Sequence, residues 1–169
     1  VRSFTEQVRE HCGSIHILIN AAGGFAGGES IEEVPLDQWE AMMSTNLRSA
    51  FLMCRSVLPF MREQKFGRIV NIAAMAALGP AARRGPYAIS KRAVVTLTEV
   101  IAEETKGTGI TANAIAPSII VREANKKSMP DAATGKWVTP REIAELVRFL
   151  CSRKARSLSG NIIKIYGAL

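Results

Sequence analysis

The chain has 169 residues, with 22 Lys and Arg against 15 Asp and Glu, and a formal charge of +7. Its 47% hydrophobic and 22% charged residues are ordinary globular values, which exclude a disordered chain and suit one domain. No run of about 18 apolar residues exists, which excludes a spanning helix, because the most apolar stretch, Ile69 to Ala82, is broken by Asn71, Gly79 and Pro80.

Three widely spaced cysteines, Cys12, Cys54 and Cys151, offer neither a disulfide framework nor a CxxC metal site. Residues 1–12 mix charged and apolar side chains, unlike a secretory signal, so the expected compartment is a reducing cytoplasm. The basic excess is dispersed over Arg83-Arg84, Lys126-Lys127, Arg153, Lys154 and Arg156, and only 6% of the residues are aromatic. That pattern argues against a nucleic-acid partner and suits solvated loops or attraction of an anionic ligand.

Phe4, Val8 and Cys12 recur at helical spacing, which predicts an amphipathic helix ending near Gly13. Ile15 to Asn20 is a short Ile-rich run suited to a strand buried on both faces, and Gly23 to Gly28 must be loop. Asp37 and Glu40 read as a capping box opening a long helix through Met43, Asn46 and Cys54 toward Met61, bent near its end by Pro59. A second strand is expected over Arg68 to Ala73, then a helix from about Pro86 to Lys106 closed by Gly107. The third strand runs from Thr111 to Ala116 and stops at Pro117. Thr139-Pro140-Arg141-Glu142 is another capping box, starting a helix through Cys151, and Asn161 to Tyr166 is the last strand.

Four helix–strand pairs in alternation predict an α/β fold with a doubly wound parallel sheet, whose ligands bind beyond the carboxyl ends of the strands. Tyr87 and Lys91, four apart at the start of a helix, project from one face. An ammonium beside a phenol favours the phenolate, so Tyr87 is a candidate general acid or base. His11 and His16 lack a metal-ligand pattern, and His16 reads as a surface or capping residue. Met42, Met43, Met53 and Met61 follow helical spacing and read as core filler. Trp137 reads as packing beneath its loop.

The set Asn20-Ala21-Ala22-Gly23, Asn46, Gly67-Arg68-Ile69-Val70-Asn71-Ile72, Tyr87, Lys91 and Pro117 resembles the short-chain dehydrogenase/reductase family over nearly the whole chain. The resemblance implies a Rossmann-type domain, an NADH or NADPH cofactor, hydride transfer, a small-molecule substrate and a homodimer or homotetramer formed through the long helices. It implies that Tyr87 is the proton donor or acceptor and that Lys91 holds the nicotinamide ribose and lowers the tyrosine's pKa. Asn46 would support Lys91 through a water. Asn20, Ala21, Ala22 and Gly23 would line the adenosine side of the cofactor. Pro117 and Ser118 would lie beside the nicotinamide, Ser118 standing where the family usually has Gly. Ser128 would belong to a loop covering the substrate.

Two departures stand out. The family's catalytic serine falls on Ala74, which cannot hydrogen-bond a reacting oxygen; such a loss commonly costs roughly 10²–10³ in rate. The family's first strand, Gly-rich turn and pyrophosphate-binding helix have no counterpart in the sequence, so residues 1–169 read as a partial domain with strands equivalent to the family's fourth to seventh.

The segments Gly23-Gly24-Phe25-Ala26-Gly27-Gly28 and Lys127-Ser128-Met129-Pro130-Asp131-Ala132, with Trp137 and Thr139-Pro140, resemble the dihydropteridine reductase branch. That branch also lacks the serine and acts on a quinonoid substrate, already electron-poor. Asn46 and Asn20-Ala21-Ala22-Gly23 resemble 3-oxoacyl carrier-protein reductases instead, which act on a carbonyl. A catalytically silent chain serving as a dimerisation module is the rival from another class.

Overall fold

The computed structural model describes residues 1–168. Helix α1 (Arg2–Cys12) leads into β1 (Ile17–Asn20); α2 (Leu36–Met42), a π-helical turn (Met43–Arg48) and α3 (Ser49–Glu63) then form one continuous rod. Strand β2 (Gly67–Ile72), α4 (Gly85–Glu104), β3 (Ile110–Pro117), α5 (Glu123–Ser128), α6 (Pro140–Cys151) and β4 (Ile162–Ile165) complete the order. The four strands are all parallel, in the order β1-β2-β3-β4, with Asn20 level with Asn71 and Ala114 level with Ile162.

Alternation along each strand sorts side chains between two layers. Leu18, Ile69 and Ala112 meet Cys54, Val57 and Met61 of α3 and Ile101 of α4. On the opposite face Val70 and Ile115 meet Leu150 of α6. The three alanines of β3 that face the helical layer, Ala112, Ala114 and Ala116, are fully buried. Their small side chains let α4 lie close to the sheet, with Val95 packed on Ala114 and Ala116.

Several local expectations are corrected. Asp37 does not cap the long helix: the cap position is Pro35, and Asp37 Oδ1 accepts from the next N–H, that of Gln38, at 2.8 Å. The capping box lies earlier, where Ser30 and Glu33 bond reciprocally around a 3-10 turn (Ile31–Glu33). The long helix passes through a π turn rather than staying α-helical, and it contains Pro59 without ending there. Strand β1 starts at Ile17, two residues later than expected, and β3 includes Pro117. The Thr139–Glu142 box is present, with Thr139 Oγ1 accepting from the Glu142 N–H at 3.2 Å.

Trp137 is buried, as packing requires, and Met42 and Met61 are core residues. His16 is exposed, edge-on to Phe66 at 5.7 Å. Among the described residues no helix is long and apolar enough to cross a membrane, and no group of three His, Cys, Asp or Glu side chains could hold a metal ion.

Candidate active site

The carboxyl ends of β1, β2 and β3 meet the first turns of α4 and the π turn. Lys91 is drawn against the sheet by the close seat of α4, and its Nζ donates to the Ile72 carbonyl, the last of β2, at 2.8 Å. Lys91 is 5% exposed, and burial pushes its pKa down to about 8. Ile72 O is its one hydrogen-bond partner among the described residues, so two of its three N–H groups remain available.

Asn46 sits on the π turn, 1% exposed. Its Oδ1 accepts from the Gly24 N–H at 2.9 Å, while Nδ2 donates to the Gly24 carbonyl at 3.2 Å and to Ser90 Oγ at 3.0 Å. Ser90 Oγ in turn donates to the Tyr87 carbonyl at 2.9 Å. Asn46 therefore ties the glycine loop after β1 to the first turn of α4. A methyl group on Gly23 would meet both Asn46 Oδ1 and Lys91 Nζ at 2.9 Å, so the chain approaches both groups as closely as only glycine allows. Ser90, which links Asn46 to the Tyr87 carbonyl, is a residue that the sequence pattern alone did not single out. Its signal is a small polar side chain between Tyr87 and Lys91 on the inward face of α4.

Tyr87 is half-buried, its ring edge-on to Phe25 at 5.0 Å between centroids. The hydroxyl has no hydrogen-bond partner among the described residues. The expectation that Lys91 lowers its pKa is not met in this state. Burial raises the Tyr87 pKa above the ordinary tyrosine value, and the charges that pull it back are those of Arg122 and Arg84. The reason is that Lys91 aims its ammonium at the sheet.

The other expected residues are partly gathered here. Ala21, Ala22 and Gly23 form an exposed strip beyond β1, beside Lys91. Asn20 does not point into that strip: its Nδ2 donates to Asn71 Oδ1 at 2.8 Å and to Cys54 Sγ at 3.4 Å. Asn71 Nδ2 continues to Thr98 Oγ1 at 2.8 Å, so a buried polar string joins β1, β2 and α4. Pro117 is buried at the end of β3, and Ser118 Oγ donates to the Tyr166 carbonyl at 2.9 Å. Ala74 is buried at the start of a 3-10 turn (Met75–Ala77) and presents no polar atom beyond its backbone. Ser128 is exposed on α5.

The family model described as enoyl-(acyl carrier protein) reductase matches residues 1–167. A D-beta-hydroxybutyrate dehydrogenase from Cupriavidus necator is 34% identical over 92% of this chain and 67% of that protein. A 3-oxoacyl-(acyl-carrier-protein) reductase from Vibrio harveyi is 30% identical over 100% of this chain and 72% of that protein. The solved structure of ElxO with NADP bound superposes with a TM-score of 0.93 at 24% identity, covering 98% of this chain and 71% of that one. The chain thus spans about 70% of the length of such relatives. With a matching family model over nearly all of its residues and a parallel sheet in the same arrangement, the chain belongs to the short-chain dehydrogenase/reductase family of oxidoreductases.

Proposed function

We propose that residues 1–169 carry the acid–base half of an NADH- or NADPH-dependent oxidoreductase acting on a small molecule, with β1 to β4 corresponding to the fourth to seventh strands of the family's sheet. Tyr87 exchanges the proton with the substrate, Lys91 orients the nicotinamide ribose, and Asn46 positions the loop and helix that bring them together. The observation that carries this reading is Lys91: a buried ammonium with one protein partner, on the face of α4 that bears Tyr87. Burying a cation with unsatisfied N–H groups is costly unless something accepts from them. The vicinal hydroxyls of a nicotinamide ribose would be suitable acceptors, and Ala21 to Gly23, exposed beside Lys91, would leave room for them.

A bound reduced nicotinamide supplies the hydride. The chain's own residues do the rest. Pro117 walls the end of β3, Asn20 anchors the start of the cofactor strip through Asn71, and Tyr87 gives up or takes the proton at its hydroxyl. A cation brought against Tyr87 would lower its pKa from the raised value that burial imposes.

The similarity to a hydroxybutyrate dehydrogenase and a 3-oxoacyl reductase favours a carbonyl–alcohol pair as substrate. Ala74 favours a second reading, a quinonoid substrate as in the dihydropteridine reductase branch, because no side-chain donor polarises a carbonyl oxygen there. The exposed groove of Trp39, Met43, Leu47, Phe51 and Leu97 along the long helices suits association into a homodimer or homotetramer. Three free cysteines suit the cytoplasm.

Tyr87→Phe is expected to lower turnover by roughly 10²–10⁴ without loss of structure by circular dichroism, and unchanged steady-state rates would overturn the assignment. Ala74→Ser separates the two substrates: it raises reduction of a ketone and leaves that of a quinonoid dihydropterin unimproved. A gain on the pterin would count against the second reading.

A further inference from the structure

Beyond β3 the chain leaves the sheet at Ser118 and comes back beside its own outgoing limb at Val138. The two limbs are stapled together. The Val138 N–H donates to the Ile119 carbonyl at 2.9 Å, and the Val121 N–H donates to the Val138 carbonyl at 2.8 Å. The excursion between them, residues 122–135, carries α5 and leads into a 3-10 turn (Thr134–Lys136). Among the described residues, every hydrogen bond of this excursion ends within residues 120–138, the contact with its base being that of Asn125 Nδ2 with the Ile120 carbonyl at 2.8 Å. Asn125, Met129 and Ala132 are half-buried and the rest of it is exposed. The base is sealed, with Trp137 and Val138 only 5% and 0% exposed. A segment bonded mainly to itself, with little burial, opens as a unit more readily than the core it stands on.

Both limbs are gripped by one short stretch, residues 165–168 at the end of β4 and just after it. On the outgoing limb the Ser118 N–H donates to the Ile165 carbonyl at 3.0 Å, and Ser118 Oγ donates to the Tyr166 carbonyl at 2.9 Å. On the returning limb the Lys136 carbonyl, at the close of the 3-10 turn, accepts from the Ala168 N–H at 3.1 Å. Gly167 turns the chain between these two grips with a φ of 65°, and a methyl group there would run into the Lys136 carbonyl. Ser118 Oγ is the one side-chain group that bonds to residues 166–168 among the described residues.

We propose that residues 166–168 are a latch, keyed by the Ser118 hydroxyl, that sets how readily residues 122–135 swing about their base at the carboxyl end of β3. Loosening either grip slackens both limbs, because Ser118 and Lys136 are tied to the same stretch. The flap leaves the strand end that Pro117 closes, so its swing governs access to that end of the sheet. The geometry of Lys91 and Asn46 is untouched by it, since their bonds run to Ile72, the glycine loop and Ser90.

Amide hydrogen exchange, followed residue by residue by NMR on the protein without ligand, tests the latch. Ser118→Ala is expected to speed exchange of the Val121 and Val138 amides roughly fivefold, the effect of one lost hydrogen bond on a local opening. Ile115, deep in β3, should exchange as before. Ser118→Thr keeps the hydroxyl and restores the slow exchange. Ala168→Pro removes the donor to Lys136 and should release Val138 from the other limb. Trp137, next to Lys136, gives an optical readout: in a Trp39→Phe background its quenching by acrylamide rises with Ser118→Ala and falls back with Ser118→Thr. Unchanged exchange at both valines in Ser118→Ala, equal acceleration at Ile115, or failure of Ser118→Thr to restore the slow rates would overturn the proposal. So would an Ala168→Pro variant that leaves Val138 as slow as before.

Discussion

Strands β1 and β3 flank the same neighbour, β2, yet they live in different surroundings. All eight residues of β3 are buried, between alanines facing α4 and Ile115 facing α6. Of the four residues of β1 only Leu18 is buried, while Ile17 and Ile19 are 47% and 45% exposed beside an apolar groove of about 610 Å³ that reaches Ile143 and Val147 of α6. The difference divides the site. The side chains whose geometry must be held are buried between the two: Lys91 is bonded to the end of the central strand β2, and Asn46 joins the loop after β1 to Ser90 of α4. The strip proposed to meet the cofactor, Ala21 to Gly23, continues the open strand. Rigidity and access are thus set side by side at one end of the sheet.

The largest effect that would sharpen this contrast is on stability. Ile115→Ala opens a cavity in the sealed interior and is expected to cost about 2–5 kcal/mol in denaturant unfolding. Ile19→Ala, on the exposed face of the edge strand, should stay within about 1 kcal/mol. Ile19→Lys should also reduce self-association seen by light scattering, because a charge on the edge strand blunts an edge that otherwise offers unpaired N–H and C=O groups. Comparable losses at Ile19 and Ile115 would break the comparison.

Next comes the seam between the two strands' territories. Gly23→Ala places a methyl against Asn46 Oδ1 and Lys91 Nζ, and overpacking of this kind costs about 1–3 kcal/mol. A fully tolerated alanine, judged by unfolding midpoint, would mean that the seam is slack.

A different kind of effect is a pH dependence. The folded Lys91 pKa of about 8 lies below its ordinary value of 10.5, so between those values the unfolded chain holds the proton more tightly. Stability therefore rises with pH from about 8 toward 10.5, where the raised Tyr87 pKa begins to act in the opposite sense. Lys91→Met should flatten the rise in unfolding free energy measured across that window.

Much of this layout was legible beforehand because parallel strands announce themselves as short apolar runs, and helices as four-residue spacings. Tyr87 and Lys91 were visible for the same reason: a spacing of four on a helix puts two side chains on one face. The seat of Lys91 against Ile72 was not legible. It follows from the alanines at 112, 114 and 116, whose effect on the approach of α4 emerges only once the strand and helix are packed. The failed cap at Asp37 has a local cause: Pro35 starts the helix two residues earlier and puts Asp37 inside the first turn. The family resemblance implies that Asn20 lines the adenosine side of the cofactor. Its level pairing with Asn71 turns the amide into the sheet instead, which depends on register between distant segments.

The π turn at Met43–Arg48 has a consequence for how this segment tolerates change. A π turn accommodates one residue more than an α turn, and each residue of an α-helix advances the azimuth by about 100°. Deleting a single residue there would let the rod relax to regular α-helix and swing everything on one side of the deletion by about a quarter-turn. Asn46 would lose Ser90 and Gly24 together, or the Trp39 face would leave its groove, since one rod cannot keep both phases. Point substitutions around Asn46 should therefore be milder than a one-residue deletion between positions 43 and 48, and the length of this segment is as much a part of the site as the side chains it presents.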